Sequence, residues 1–112
     1  MEESRIMQIM LLDFYGDLLT DKQRECYSMY YNEDFSLSEI AEEKGVSRQA
    51  VWENIRHADA ALKAIEEKTG LIRRFHQTKS SLAELMELLR QVPESSGLKA
   101  AEEKLTAIIE SL

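Results

Sequence analysis

Arg48 and Gln49 stand side by side, and Trp52 and Arg56 follow at intervals of four. Residues four apart share a helix face, so Arg48, Trp52 and Arg56 line one side of any helix through them, with Gln49 and Glu53 alongside. An arginine fits the paired acceptors of guanine and a glutamine fits adenine, while Lys44 and Arg56 are of the type that holds phosphates. An exposed tryptophan is also a common anchor for a protein partner. Lys44, Ser47, Arg48, Gln49, Trp52 and Arg56 are therefore the candidate residues for binding nucleic acid or a partner. Two opposing considerations come from the same residues. Glu53 would repel phosphates, and Trp52 could equally pack on the N-terminal helix or on a second copy of the chain.

The surrounding sequence has the signals that would hold these side chains in place. Ser36 and Glu39 form a capping box, and Phe35 and Ile40 occupy the staple positions around it. A short helix, 37–44, then ends at Gly45, which tolerates the left-handed conformation that stops a helix. Ser47 caps the next helix, with Val46 and Val51 in the staple positions, and Thr69–Gly70 break that helix after about Lys68. Ala41 is small where the two helices must cross. Ile40, Val46, Val51 and Ile55 are expected to face inward. Two caps on either side of a glycine predict a helix-turn-helix between Ser36 and Leu62, a motif whose second helix can enter the major groove.

Upstream, Ile6, Met7, Met10, Leu11, Phe14, Leu18 and Leu19 recur at spacings of three and four, which predicts an amphipathic helix. Thr20 and Gln23 form another capping box and open a helix carrying Cys26, Tyr27, Met29, Tyr30 and Tyr31, closed by Asn32–Asp34. Downstream of Gly70 a fifth helix, open to a bend near Ser80–Ser81, carries Leu82, Leu85, Met86 and Leu89. The stretch Pro93–Gly97 reads as a loop. A last helix carries Leu98, Leu105, Ile108 and Leu112. Alternation of the strand type is absent, so the fold class is all-α. The expected organisation is a helix-turn-helix domain over 1–70 and a C-terminal helical hairpin over 71–112, closing on the same core or on a dimer mate. A homodimer through these helices and the N-terminal helix is the expected assembly.

The chain has 112 residues and a net charge of −7, with no segment carrying a basic excess. That balance argues against tight nonspecific DNA binding, though it leaves room for a local basic surface. Arg73, Arg74, His76 and Lys79 form a small basic cluster that could meet RNA or an acidic partner, or simply confer solubility. Cys26 is alone and suits a reducing cytosol. Apolar runs are broken by Asp13 and Asp17, so neither a signal peptide nor a membrane span is expected, and the location read from the sequence is cytoplasmic. His57 and His76 lack partners at metal spacing. No phosphate loop, nucleophile elbow or carboxylate–histidine arrangement occurs, so neither catalysis nor a cofactor is expected.

Segment 36–56 resembles region 4 of bacterial sigma factors in its Ile-Ala, Gly-Val-Ser-Arg and following Val. A longer set looks like the YlxM family of small bacterial helix-turn-helix proteins: Leu19-Thr-Asp-Lys-Gln23, Tyr30-Tyr31, Ser36 to Glu43, Gly45 to Val51 and Asn54-Ile-Arg56. This resemblance covers roughly residues 6–63 and is weak over 71–112. It implies a sigma-region-4-like helix-turn-helix with added N- and C-terminal helices, and a regulatory or accessory role in the signal recognition particle pathway, with that particle's protein or RNA as partner. Asn54 stands where sigma factors usually have an apolar residue. Two other readings stand beside it: a sigma-like transcriptional regulator that binds specific DNA, and a structural helical dimer with a vestigial motif.

Overall fold

A computed structural model describes residues 2–112, with side chains from Arg5 onward. The described residues form helices α1 (Glu2–Tyr15), α2 (Asp21–Tyr31), α3 (Leu37–Lys44), α4 (Arg48–Thr69), α5 (Leu71–Arg90) and α6 (Ser96–Ser111), and no strand occurs among them. The all-α expectation holds. Two compact units are present, Met1–Ile72 and Arg73–Leu112.

The first unit is assembled on α4. Val51, Ile55, Ala58 and Leu62 recur at spacings of three and four and are essentially inaccessible to solvent. Helices α1, α2 and α3 all pack against α4. They bring Leu11, Tyr15, Cys26, Tyr27, Met29, Ile40 and Ala41 into one core. Both capping boxes form as the sequence predicts. Thr20 exchanges hydrogen bonds with Gln23 at the start of α2, and Ser36 does so with Glu39 at the start of α3. Gly70 takes the left-handed conformation that ends α4.

Three expectations are corrected. The inward stripe of α1 is Gln8, Leu11 and Tyr15, while Ile6 and Met7 are exposed. The helix also ends at Tyr15 and gives way to a 3-10 turn, Gly16–Leu18, which leaves Leu18 outside and returns Leu19 to the core. Val46 is 44% exposed, because the chain leaves α3 through a left-handed Gly45 that directs the next residue away from the crossing. Pro93–Gly97 is not wholly a loop. Ser95 caps α6 by accepting from the Leu98 N–H at 3.1 Å, so Gly97 lies in the first helical turn. Helix α5 runs unbroken through Ser80–Ser81.

Polar groups inside the first unit are gathered on α4. Asp59 accepts a hydrogen bond from the Tyr27 hydroxyl at 2.9 Å and one from the buried Gln8 amide at 3.5 Å, and it pairs with Lys63 at 2.8 Å. Two turns on, Glu66 accepts from the Tyr15 hydroxyl at 2.6 Å and from the Ile72 N–H at 2.9 Å, which ties the start of α5 to α1. Ile72 is accordingly part of the first unit's core. At the α2–α3 turn, Arg5 donates to the Tyr31 carbonyl at 2.9 Å and pairs with Asp34, a residue held at φ 64°. Aspartate is among the few non-glycine residues that tolerate this conformation.

Burial, with the Asp59 carboxylate alongside, pushes the Tyr27 phenol far above its ordinary value of 10.0. Burial raises Tyr31 and Cys26 in the same direction. The folded chain therefore keeps protons that the unfolded chain releases in alkali. The corresponding stability is complete below about pH 9 and is lost progressively as the pH rises through 10 and beyond. In urea titrations, Tyr27→Phe is expected to cost about 1–3 kcal/mol at pH 7 by leaving Asp59 short of a donor. Above pH 10 the same variant should lose stability less steeply than the parent, by about 1.4 kcal/mol per pH unit. Parallel pH profiles for the two proteins would contradict the assignment.

Candidate functional site

The turn of the helix-turn-helix is built by its own sequence. Gly45 sits at φ 68°, and the Val46 N–H reaches back to the Ala41 carbonyl at 3.1 Å. Ala41 of α3 is buried within the core of the first unit. Ser47 then caps α4, its hydroxyl accepting from the Ala50 N–H at 3.0 Å.

Burial of Val51 and Ile55 turns Arg48, Gln49, Trp52, Glu53 and Arg56 to solvent, and Asn54 lies half-buried at the edge. Arg48, Gln49, Trp52 and Arg56 are thus brought onto one open face, as their spacing predicts. The other two candidates are engaged differently. The Ser47 hydroxyl is occupied by the cap, and Lys44 forms an ion pair with Glu25 of α2. The hydrogen bond and charge of Lys44 hold the Glu25 carboxyl below its ordinary range, and Glu25 in turn raises the Lys44 ammonium. Lys44 is partly neutralised before any phosphate arrives, while Glu42, Glu43 and Glu53 stay exposed nearby in the sequence. None of the ion pairs among the described residues involves Arg48 or Arg56.

Trp52 is 42% exposed and meets Tyr30 of α2 edge to face, with ring centroids 6.4 Å apart. Tyr30 in turn contacts Tyr31 at 4.9 Å, and Tyr31 contacts the buried Tyr27 at 4.8 Å. One line of rings thus connects the open face to the core and holds the indole from below. The sequence placed Trp52 outside; the supporting ring comes from α2, not from the N-terminal helix.

The basic cluster Arg73, Arg74, His76 and Lys79 belongs to the second unit, where all four are exposed and Lys79 lies over the Phe75 ring at 5.4 Å. Among the described residues no three His, Cys, Asp or Glu side chains gather as metal ligands would, and no helix is long and apolar enough to cross a membrane.

Two capped helices joined through a left-handed Gly45, with an open face on the second, define an all-α helix-turn-helix protein. The chain belongs to the UPF0122 family, described as "Putative helix-turn-helix protein, YlxM / p13 like", whose pattern matches residues 2–105. The match therefore extends well into α6, beyond the stretch in which the motif resemblance is legible. A UPF0122 protein of Bacillus velezensis is 50% identical over 102 residues, covering 91% of this chain and 86% of the relative. The UPF0122 protein YlxM of Bacillus subtilis is 49% identical with the same coverage. A UPF0122 protein of a Thermoanaerobacter species is 36% identical over 115 residues, covering 100% of this chain and 98% of its own length.

A methyl group at Gly45 would meet nothing within 4 Å, so the cost of adding one is conformational rather than steric crowding. Gly45→Ala is expected to lower stability by about 1–2 kcal/mol, the penalty of an L-residue in the left-handed region. Gly45→Asn should lower it less. Urea midpoints with an unchanged slope would measure both, and equal losses for the two would contradict the backbone explanation.

Proposed function

We propose that this chain is a non-enzymatic regulatory or accessory helix-turn-helix protein of the signal recognition particle pathway, docking that particle's protein or RNA through the α4 face. The pathway rests on the motif resemblance over residues 6–63. The carrying observation is the balance of that face: Trp52 stands open between Arg48 and Arg56, while Glu53 lies beside them and Lys44 is tied to Glu25. A face with so few unopposed cations gains little from releasing counterions from a DNA backbone. An aromatic anchor between two arginines matches the composition of sites that dominate binding energy. The purified chain should be retained by either the particle's GTPase or its RNA, each presented alone. Trp52→Ala should weaken that retention by roughly thirtyfold or more, the effect of losing an anchor worth about 2 kcal/mol. Failure to retain either component would overturn this reading.

A second reading is favoured by one observation. Arg48 and Gln49 lie exposed in the first turn of α4, where this motif makes its base contacts. As a sigma-like, sequence-specific DNA-binding regulator, the chain should enrich some duplex from a random pool at low salt. Arg48→Ala should then cost about 1–3 kcal/mol of discrimination at one base pair. A pool that emerges unenriched removes the DNA reading.

A further inference from the structure

Helix α2 ends next to Trp52, and its ending depends on a side chain from another helix. The last carbonyls of a helix have no partner within it. At the end of α2 two of them are met by the chain that follows. The Ser28 carbonyl accepts from the Asn32 N–H at 2.8 Å and the Glu33 N–H at 3.0 Å, and the Met29 carbonyl accepts from the Phe35 N–H at 2.9 Å. The Tyr31 carbonyl instead accepts from Nε of Arg5, 26 positions upstream in α1, at 2.9 Å. A cation placed there also opposes the negative end of the helix dipole.

The same guanidinium pairs with Asp34, so one planar group bridges the last residue of α2 and the bend that follows it. Asp34 is the non-glycine residue held at positive φ among the described residues. The ion pair is open to solvent, with the Asp34 side chain 71% exposed, so it is screened and contributes little by itself. Its effect is to aim the guanidinium at the Tyr31 carbonyl.

What this contact holds is the support of the open face. The ring of Tyr30 meets Trp52 edge to face at 6.4 Å, and the ring of Tyr31 lies between Tyr30 at 4.9 Å and Tyr27 at 4.8 Å. Tyr27 is fully buried and bonded to Asp59. Tyr30 and Tyr31 are only partly buried and stand in the last turn of α2, where helices fray. Whether that turn is fixed decides whether Tyr30 stays against the indole. A side chain already held in place does not have to be ordered when a ligand arrives.

We infer that Arg5 is a positioning residue for Trp52: it fixes the last turn of α2 and, through Tyr31 and Tyr30, the orientation of the indole on the open face. The inference rests on the reading of that face as a binding site, but its test does not need the ligand.

Trp52 is the sole tryptophan of the chain, so the tryptophan band of the near-UV circular dichroism and the emission anisotropy report on its indole alone. In the full chain without ligand, Arg5→Ala should weaken that band and speed local depolarisation, with helical content retained. Tyr30→Leu should do the same, and the double variant should change no more than either single one, since both act through one contact. Tyr15→Phe, which breaks a hydrogen bond at the other end of α1, should lower the urea midpoint yet leave the Trp52 signature as in the parent. In retention by the particle's GTPase or RNA, Arg5→Ala should be roughly two- to tenfold weaker than the parent, the cost of ordering one side chain anew. An Arg5→Ala signature equal to the parent's overturns the inference. So does an effect that adds in full to that of Tyr30→Leu, or a Tyr15→Phe variant showing the same loss. These outcomes are read without ligand, so a parent retained by neither component overturns the α4 reading alone.

Discussion

Helix α4 has one inward stripe, Val51, Ile55, Ala58 and Leu62, and three other helices must share it. Ala58 lies within the stripe, fully buried, where a larger side chain would hold the other helices off. Because α4 is a single helix of 22 residues, burying this stripe also decides what faces out. Arg48, Gln49, Trp52 and Arg56 are exposed as a geometric consequence of Val51 and Ile55 being buried. The candidate face and the core are two sides of one constraint, and a change in the packing of α2 or α3 would re-aim the face.

Apolar packing alone would leave α1 and α2 free to slide along that stripe. The two carboxylates of α4 oppose this. Asp59 and Glu66 are seven residues apart, two helical turns, and so lie on the same side. Asp59 holds Tyr27 of α2 and Gln8 of α1, while Glu66 holds Tyr15 of α1 and the first turn of α5. Partly buried carboxylates add little net stability once desolvation is counted. They do penalise any register in which a donor is missing, since an unpartnered group inside the protein costs more than a satisfied one contributes.

Those carboxylates also explain where the sequence was hard to read. Caps and turns were legible because they are local: Thr20 with Gln23, Ser36 with Glu39, Ser47, Gly45 and Gly70 each act within four residues of themselves. The inward face of α1 was not, because it is defined by its partners. Gln8 counts as a surface residue in any hydrophobic pattern, yet it is buried because Asp59 waits for it across 51 positions of sequence. Tyr15 is drawn inward by Glu66 in the same way, and Ile6 and Met7 are left outside. Val46 was misplaced for a different reason: the left-handed residue before it rotates the chain, which a spacing rule does not register. In the candidate face, the four helical positions followed from periodicity. The pairing of Lys44 with Glu25 depends on α2 lying beside α3 and could not be seen from the local sequence.

The distribution of charge connects these observations to function. A helix-turn-helix that lived by nonspecific contact with DNA would place unpaired cations around α4, since each phosphate contact adds to affinity. Here one of the three local cations is committed to an internal ion pair, and exposed glutamates flank the remaining two. A run of cations without intervening acids lies elsewhere, in Arg73–Lys79. On the proposed reading, selective recognition by α4 comes from shape and from Trp52 and its supporting tyrosines more than from charge.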